Sequence, residues 1–202
     1  MVPTKTLLAK MMVFAAAVTA LARPVAAQDE ASKLFESGKY QEAVERTSSE
    51  TAPEARYLKA LAHRKLDQTD QAKDAFRQLA EAGEAWQAVG ESGIALADGN
   101  VDGAIAAART AVERNAELAQ AQFQLGQALD AKGENALAAE AFEKAATRAP
   151  QMAYAHYQAG MSNYKAKRID KMAVYFENFL KLAPNAPEAP AVQSIMRTVR
   201  GR

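Results

Sequence analysis

Residues 119–150 read AQAQFQLGQALDAKGENALAAEAFEKAATRAP, and residues 153–184 read AYAHYQAGMSNYKAKRIDKMAVYFENFLKLAP. Aligned at a step of 34 residues, Ala119, Gln124, Gly126, Ala139, Phe142, Glu143, Ala149 and Pro150 recur as Ala153, Gln158, Gly160, Ala173, Phe176, Glu177, Ala183 and Pro184. A period of that length marks an array of stacked helix pairs, in which each unit is too small to bury its own apolar face and stacking supplies the core. Such arrays display a long curved surface to other proteins. Within the unit, Leu125, Gly126 and Leu129 form one apolar stripe and Ala138, Phe142 and Ala145 an opposing one, mostly at three- and four-residue spacing.

Outward from this unit, small residues recur twelve apart: Ala31/Ala43, Ala60/Ala72, Ser92/Ala104, Gly126/Ala138 and, with a larger second member, Gly160/Met172. A small residue on each of two antiparallel helices lets their axes approach closely. Turn signals lie between the members: Ser37-Gly38-Lys39, Asp98-Gly99-Asn100 and Lys132-Gly133-Glu134-Asn135. Glycine accepts the left-handed conformation that ends a helix there. After Pro184 the run Asn185-Ala186-Pro187-Glu188-Ala189-Pro190 stops one helix, and Val192, Ile195, Met196 and Val199 begin another pattern at i, i+3, i+4 and i+7. The pattern predicts a terminal helix over 190–200 with Gln193, Arg197 and Arg200 outward, shielding Met172, Phe176 and Phe179 of the last unit.

The stretch Ala119 to Pro150 resembles a tetratricopeptide repeat: Leu125-Gly126, Leu129, Gly133, Ala138, Phe142, Ala145 and Pro150 stand where that family's motif has them. Ala153 to Pro184 matches with Gly160, Phe176 and Pro184. Ala85 to Leu118 keeps Gly99, Ala104 and Ala111, but Ser92, Ala108 and Ala116 replace the motif's glycine, aromatic and proline. Pro53 to Glu84 keeps Ala60, Ala72 and Phe76 at a slightly irregular length, and Glu30 to Ser48 looks like a unit with a shortened first helix. The resemblance implies an all-α superhelical solenoid of about five helix hairpins: 28–50, 51–84, 85–118, 119–152 and 153–186, with a capping helix in 187–202.

The first 27 residues read differently. Lys5 and Lys10 precede an apolar stretch, Met11 to Ala22, that ends in Arg23-Pro24-Val25-Ala26-Ala27. This is the pattern of an export signal cut after Ala27, and the apolar stretch is well short of the roughly 20 residues a membrane-spanning helix needs. The expected location is the periplasm or the exterior, with no integral membrane span once the signal is removed. Without Lys5, Lys10 and Arg23, 22 basic residues remain against 24 acidic ones, a formal balance of −2. Interspersed signs near neutrality give no electrostatic footprint for nucleic acid. With no cysteine, stability rests on packing.

For a partner, the resemblance directs attention to the first helix of each pair, which lines the family's concave side. Steps of three, four and three residues hold one helix face. They yield Trp86, Val89, Gly93 and Leu96; Gln120, Phe123, Gln127 and Asp130; and Tyr154, Tyr157, Met161 and Tyr164. The family's known clamp uses lysine, asparagine and arginine against a terminal carboxylate, whereas the matching places here carry Val89, Gly93, Phe123, Gln127, Tyr157 and Met161. The predicted groove is therefore aromatic: Trp86, Val89, Phe123, Gln127, Asp130, Tyr154, Tyr157, Met161 and Tyr164 are its candidate residues, since aromatic anchors dominate interface energetics. The alternative, that several of these pack against neighbouring helices, stays open.

Enzymatic features are sparse. The two histidines, His63 and His156, stand far apart in sequence and are expected on helix surfaces, and no phosphate loop, nucleophile elbow or metal-ligand spacing occurs. Thr47, Ser48 and Ser49 have no neighbouring base and read as a loop between helices. The expected function is non-enzymatic and without cofactor or metal. Two readings remain: an envelope adaptor holding a partner protein or peptide, and a self-associating structural protein forming a dimer or filament.

Overall fold

The computed structural model describes residues 29–201, so the expected export signal and Arg202 lie outside the described residues. Among them every regular element is helical: α1 (29–36), α2 (Tyr40–Thr47), α3 (Pro53–Lys65), α4 (Thr69–Arg77) with a 3-10 turn (Gln78–Ala82), α5 (Glu84–Ala97), α6 (Val101–Arg114), α7 (Ala119–Lys132), α8 (Asn135–Arg148), α9 (Ala153–Lys165), α10 (Ile169–Leu182) and α11 (Ala189–Arg200). Consecutive helices pack on one another through the array from α2 to α11. The solenoid of helix hairpins expected from the period is the architecture observed.

Local chemistry sets the element ends. Pro53 opens α3, where its missing N–H costs nothing, and the Asn100 side chain accepts from the Gly103 N–H at 3.0 Å to cap α6. Each hairpin turns through one left-handed residue: Gly38, Asp67, Gly99, Gly133 and Lys167, with φ of 80°, 57°, 75°, 83° and 60°. At Gly133 the following Glu134 N–H reaches back to the Leu129 carbonyl at 2.9 Å. Asp67 and Lys167 hold the same place with a side chain, each at a cost of about 1–2 kcal/mol.

The core follows the small-residue pairs. Ala31, Ala43, Ala60, Ala72, Ala104 and Ala138 are at most 1% exposed, and the buried Ser92 hydroxyl donates to the Ala104 carbonyl at 2.8 Å across its hairpin. Phe76, Phe142 and Phe176 lie fully buried on the second helices. Phe142 covers Gly126 so closely that a Cβ there would meet its ring at 2.7 Å, and Phe176 covers Gly160 in the same way. Val192 and Met196 of α11 join Met172, Phe176 and Phe179 in one apolar cluster, with Gln193 and Arg197 exposed. Ion pairs between neighbouring units, such as Lys132 to Asp102 at 2.8 Å, lie at the surface and contribute little each.

Two expectations are corrected. The sequence predicts an open trough on the inner side, but the first helices α3 and α7 already touch: Tyr57 Oη donates to Gln124 Oε1 at 3.1 Å and Arg64 to Gln127 Oε1 at 2.9 Å. The array curls until its first hairpin meets its last, with the rings of Phe35 in α1 and Tyr154 in α9 at 5.0 Å. The histidines, expected at the surface, are both 7% exposed. His63 Nδ1 is paired with Gln68 Oε1 at 2.6 Å. His156 donates from Nε2 to the Pro150 carbonyl at 2.9 Å, tying α9 to the loop before it.

Candidate functional site

The junction between the two ends of the array centres on Tyr154. Its hydroxyl lies 2.7 Å from both Glu188 carboxylate oxygens and 3.2 Å from the Tyr40 hydroxyl. With its single proton given to Glu188, Tyr154 accepts from Tyr40. Lys65 Nζ completes the network, 2.8 Å from Glu188 Oε1 and 4.7 Å from the centre of the Tyr154 ring. α2, α3, α9 and the loop before α11 thus share one chain of charge-assisted bonds. Burial opposes ionisation of Glu188, but the hydrogen bonds from Lys65 and Tyr154 outweigh it and hold the carboxyl below its usual range. Burial, with the bonds to Tyr40 and Glu188, pushes the Tyr154 phenol far up.

This junction divides the inner side into two cavities. The larger, about 450 Å³, lies between α1, α3, the start of α7 and the loop into α9. The smaller, about 160 Å³, is lined by Arg64, Lys65, Phe123, Gln127 and Gln158. Phe35, Leu61 and Tyr154 line both and form the partition. The two ends differ in charge: Asp29, Glu36 and Glu54 line the larger with Lys33, whereas Arg64 and Lys65 line the smaller. Burial lowers the pKa of Arg64 from the usual guanidinium range.

Glu36 in α1 accepts from the Ala153 N–H at the start of α9 at 3.4 Å. Burial pushes its carboxyl up from 4.5 to about 7, against the opposing effects of that N–H and of Lys33. The fold thus favours protonated Glu36: its contribution to stability is complete below pH 4.5 and is lost as pH rises through about 7. Glu36→Gln keeps an acceptor for Ala153 and cannot ionise. The variant is expected to melt above the wild type at about pH 8 by an amount worth roughly 1–2 kcal/mol after solvent screening, and to match it near pH 4. Thermal melts across that range check it; a difference independent of pH would remove Glu36 as the group responsible.

The curled stack of hairpins, with Gly93, Gly126 and Gly160 each under a phenylalanine ring and a left-handed residue in the turn of each hairpin, agrees with what family models find. The tetratricopeptide repeat model matches residues 94–153 and 123–187, and a second model of the same repeat matches 54–82. This chain belongs to the tetratricopeptide repeat family. Among solved structures, TTC0263, a thermophilic tetratricopeptide repeat protein of Thermus thermophilus, is similar at 17% identity over 86% of this chain and 98% of that one, with a TM-score of 0.60. YrrB, described as a tetratricopeptide repeat protein with an unusual peptide-binding site, is similar at 19% identity over 83% of this chain and 90% of that one, with a TM-score of 0.52. The first such domain of Spaghetti (RPAP3), solved with the HSP90 peptide SRMEEVD, is similar at 16% identity over 58% of this chain and 96% of that one, with a TM-score of 0.54. At these identities the likeness is one of fold. No curated protein matches the chain in sequence.

Within this tetratricopeptide repeat array the candidate groove residues divide by depth. Trp86 and Val89 are buried and line neither inner cavity; the Trp86 ring lies 6.2 Å from that of Tyr57. Phe123 is buried edge-on to Phe142 at 5.3 Å, with one side toward the smaller cavity. Gln127 accepts from Arg64, and Asp130 pairs with Lys165 at 2.6 Å. Tyr154 is the buried hub. Tyr157 and Met161 are half-buried, Tyr157 packing on Phe179 at 5.2 Å, and Tyr164 is 42% exposed. Sequence reasoning missed Glu54, Tyr57, Leu61 and Arg64 of α3, although the same steps of three, four and three connect them and all four line the cavities. It missed Asp29, Ser32 and Glu36 of α1 as well, which follow steps of three and four. Among the described residues no group of three histidine or acidic side chains is placed to hold a metal ion, and no helix is long and apolar enough to cross a membrane.

Proposed function

We propose that this protein is a non-catalytic scaffold of the cell envelope, exported by its first 27 residues and cut after Ala27, that holds a segment of a partner protein on the inner side of its helix array. The observation that carries the reading is the inner surface: α3, α7 and α9 present Arg64, Gln127, Gln158 and aromatic rings to cavities that the array's own side chains leave unfilled. Tetratricopeptide repeats are generally modules for contact between proteins, and similar structures include a peptide-bound one and one described by its peptide-binding site. Tyr164 of α9, 42% exposed, adds an aromatic ring at the surface. Aromatic rings and polar side chains at such cavities suit a short partner segment that inserts its side chains there.

A photo-crosslinking residue placed at Gln158, beside the smaller cavity, is expected to capture a partner protein in the producing cell, whereas one at Val174, 57% exposed on α10, captures none. The mass of the protein recovered from the envelope is expected to begin at Gln28. Equal capture from both positions would remove the inner-side reading, and an uncut, cytoplasmic protein would remove the export reading.

A further inference from the structure

The larger inner cavity combines two features that no contact within the fold uses together. Its floor is apolar, built from Tyr57, Leu61 and Met152, while carboxylates of α1 and α3 stand at its wall. Among the described residues, Glu36 meets a backbone N–H and no cation within ion-pair distance, and neither Asp29 nor Glu54 takes part in an ion pair. Elsewhere on the inner side a comparable charge is answered directly: Glu188 by Lys65, and Asp130 by Lys165. Lys33 is the single cation among the described residues lining the cavity and leaves its negative balance in place.

We infer that this cavity docks a partner segment carrying arginine or lysine beside an apolar side chain, with the cation held among Glu36, Glu54 and Asp29 and the apolar group on the floor. The inference rests on the scaffold reading above and names the chemistry of its partner. Long basic side chains fit such a place because their methylenes lie on apolar surface while the head group reaches the carboxylates. Guanidinium adds a planar fork that matches a carboxylate with two hydrogen bonds. Burial leaves Glu36 short of solvation for its charge, and a docked cation supplies what the water does not. A volume of about 450 Å³ admits a few side chains and not a folded domain, so a short segment is the unit recognised. Charge complementarity of this sort sets which partner is accepted more than how tightly it is held.

The test uses the full protein and three fluorescent octapeptides of alternating residues: leucine with arginine, leucine with glutamate, and glycine with arginine. In anisotropy titrations at physiological salt, the leucine–arginine peptide is expected to bind about tenfold more tightly than either of the others. Glu36→Gln with Glu54→Gln is expected to abolish the preference over leucine–glutamate, and Lys33→Glu, which adds a carboxylate, to strengthen leucine–arginine binding about threefold. Circular dichroism melts establish that each variant is folded, and Lys33→Glu tests the idea by a gain should the double variant unfold. Equal affinity for the two leucine peptides, glycine–arginine binding as tight as leucine–arginine, or a preference that survives the double variant would each overturn the inference. No binding of any peptide would overturn it too, while capture from Gln158 would still stand and keep the scaffold reading separate.

Discussion

Removing residues 191–202 is expected to lower the melting temperature of the protein by roughly 10 °C, the equivalent of about 3 kcal/mol for a chain of this size. The cut takes away Val192 and Met196, 0% and 6% exposed, and the half-buried Ile195 and Val199, while leaving Glu188 in contact with Lys65 and Tyr154. Full burial of one such side chain is worth about 1.5–3 kcal/mol, and the ordering entropy of the part of α11 that is removed offsets part of the sum. What remains is the exposed end of α10, where Met172, Phe176 and Phe179 lose their cover. An apolar end of that kind also promotes association, so sedimentation of the shortened chain is expected to show species heavier than those of the full protein. Val192→Asp with Met196→Asp should reproduce the loss in a chain of unchanged length. A melt within about 1 °C of the full protein would mean that α11 is an appendage and that the last hairpin is stable without it.

Different parts of this molecule were legible in the sequence to different degrees, for physical reasons. The hairpins of α7 to α10 could be read because their packing is local: Gly126 under Phe142 and Gly160 under Phe176 repeat at one spacing, and the turn at Gly133, like that at Gly99 between α5 and α6, is marked by the residue that tolerates it. Asp67 and Lys167 take the same left-handed place without that marker, so those turns leave no trace in composition. The closure of the array was hidden for another reason. A repeat period tells each unit what its neighbour is, but the curl is the sum of small rotations, and the Tyr40–Tyr154 contact joins residues 114 apart. With the curl unknown, Tyr154 reads as an open anchor when it is the buried hub of a junction. The inner residues of α3 were obscured by the irregular length of their unit, which put Glu54, Tyr57, Leu61 and Arg64 out of register with the 34-residue match although the helical step relates them correctly.

The second large effect concerns the middle of the array. Phe142→Ala is expected to destabilise the fold by about 3–5 kcal/mol, the usual cost of emptying a fully buried phenylalanine site, out of a total that for most domains is about 5–15 kcal/mol. Phe142 has no exposure, lies edge-on to Phe123 at 5.3 Å and roofs the backbone of Gly126, so its loss opens the hairpin of α7 and α8 and loosens the wall of the smaller cavity together. In a linear array such a lesion would let the two ends melt apart, since units there feel only their neighbours. Here the ends are joined through Tyr154, Glu188 and Lys65, and a single transition is expected to persist in Phe142→Ala and to split once Tyr154→Phe with Glu188→Gln releases the junction. The contact with Gly126 has its own signature. Gly126→Ala would ordinarily stabilise a helix by about 0.5–1 kcal/mol, but a Cβ 2.7 Å from the Phe142 ring makes it destabilising in the wild type. In a Phe142→Leu background the ring is gone and the same substitution becomes neutral or favourable, giving a coupling of about 1 kcal/mol or more in the double-mutant cycle. Chemical denaturation of the four proteins measures that coupling. Gly126→Ala stabilising both backgrounds equally would show that the ring has room to yield, and the close approach of α7 and α8 would no longer explain why a glycine stands there.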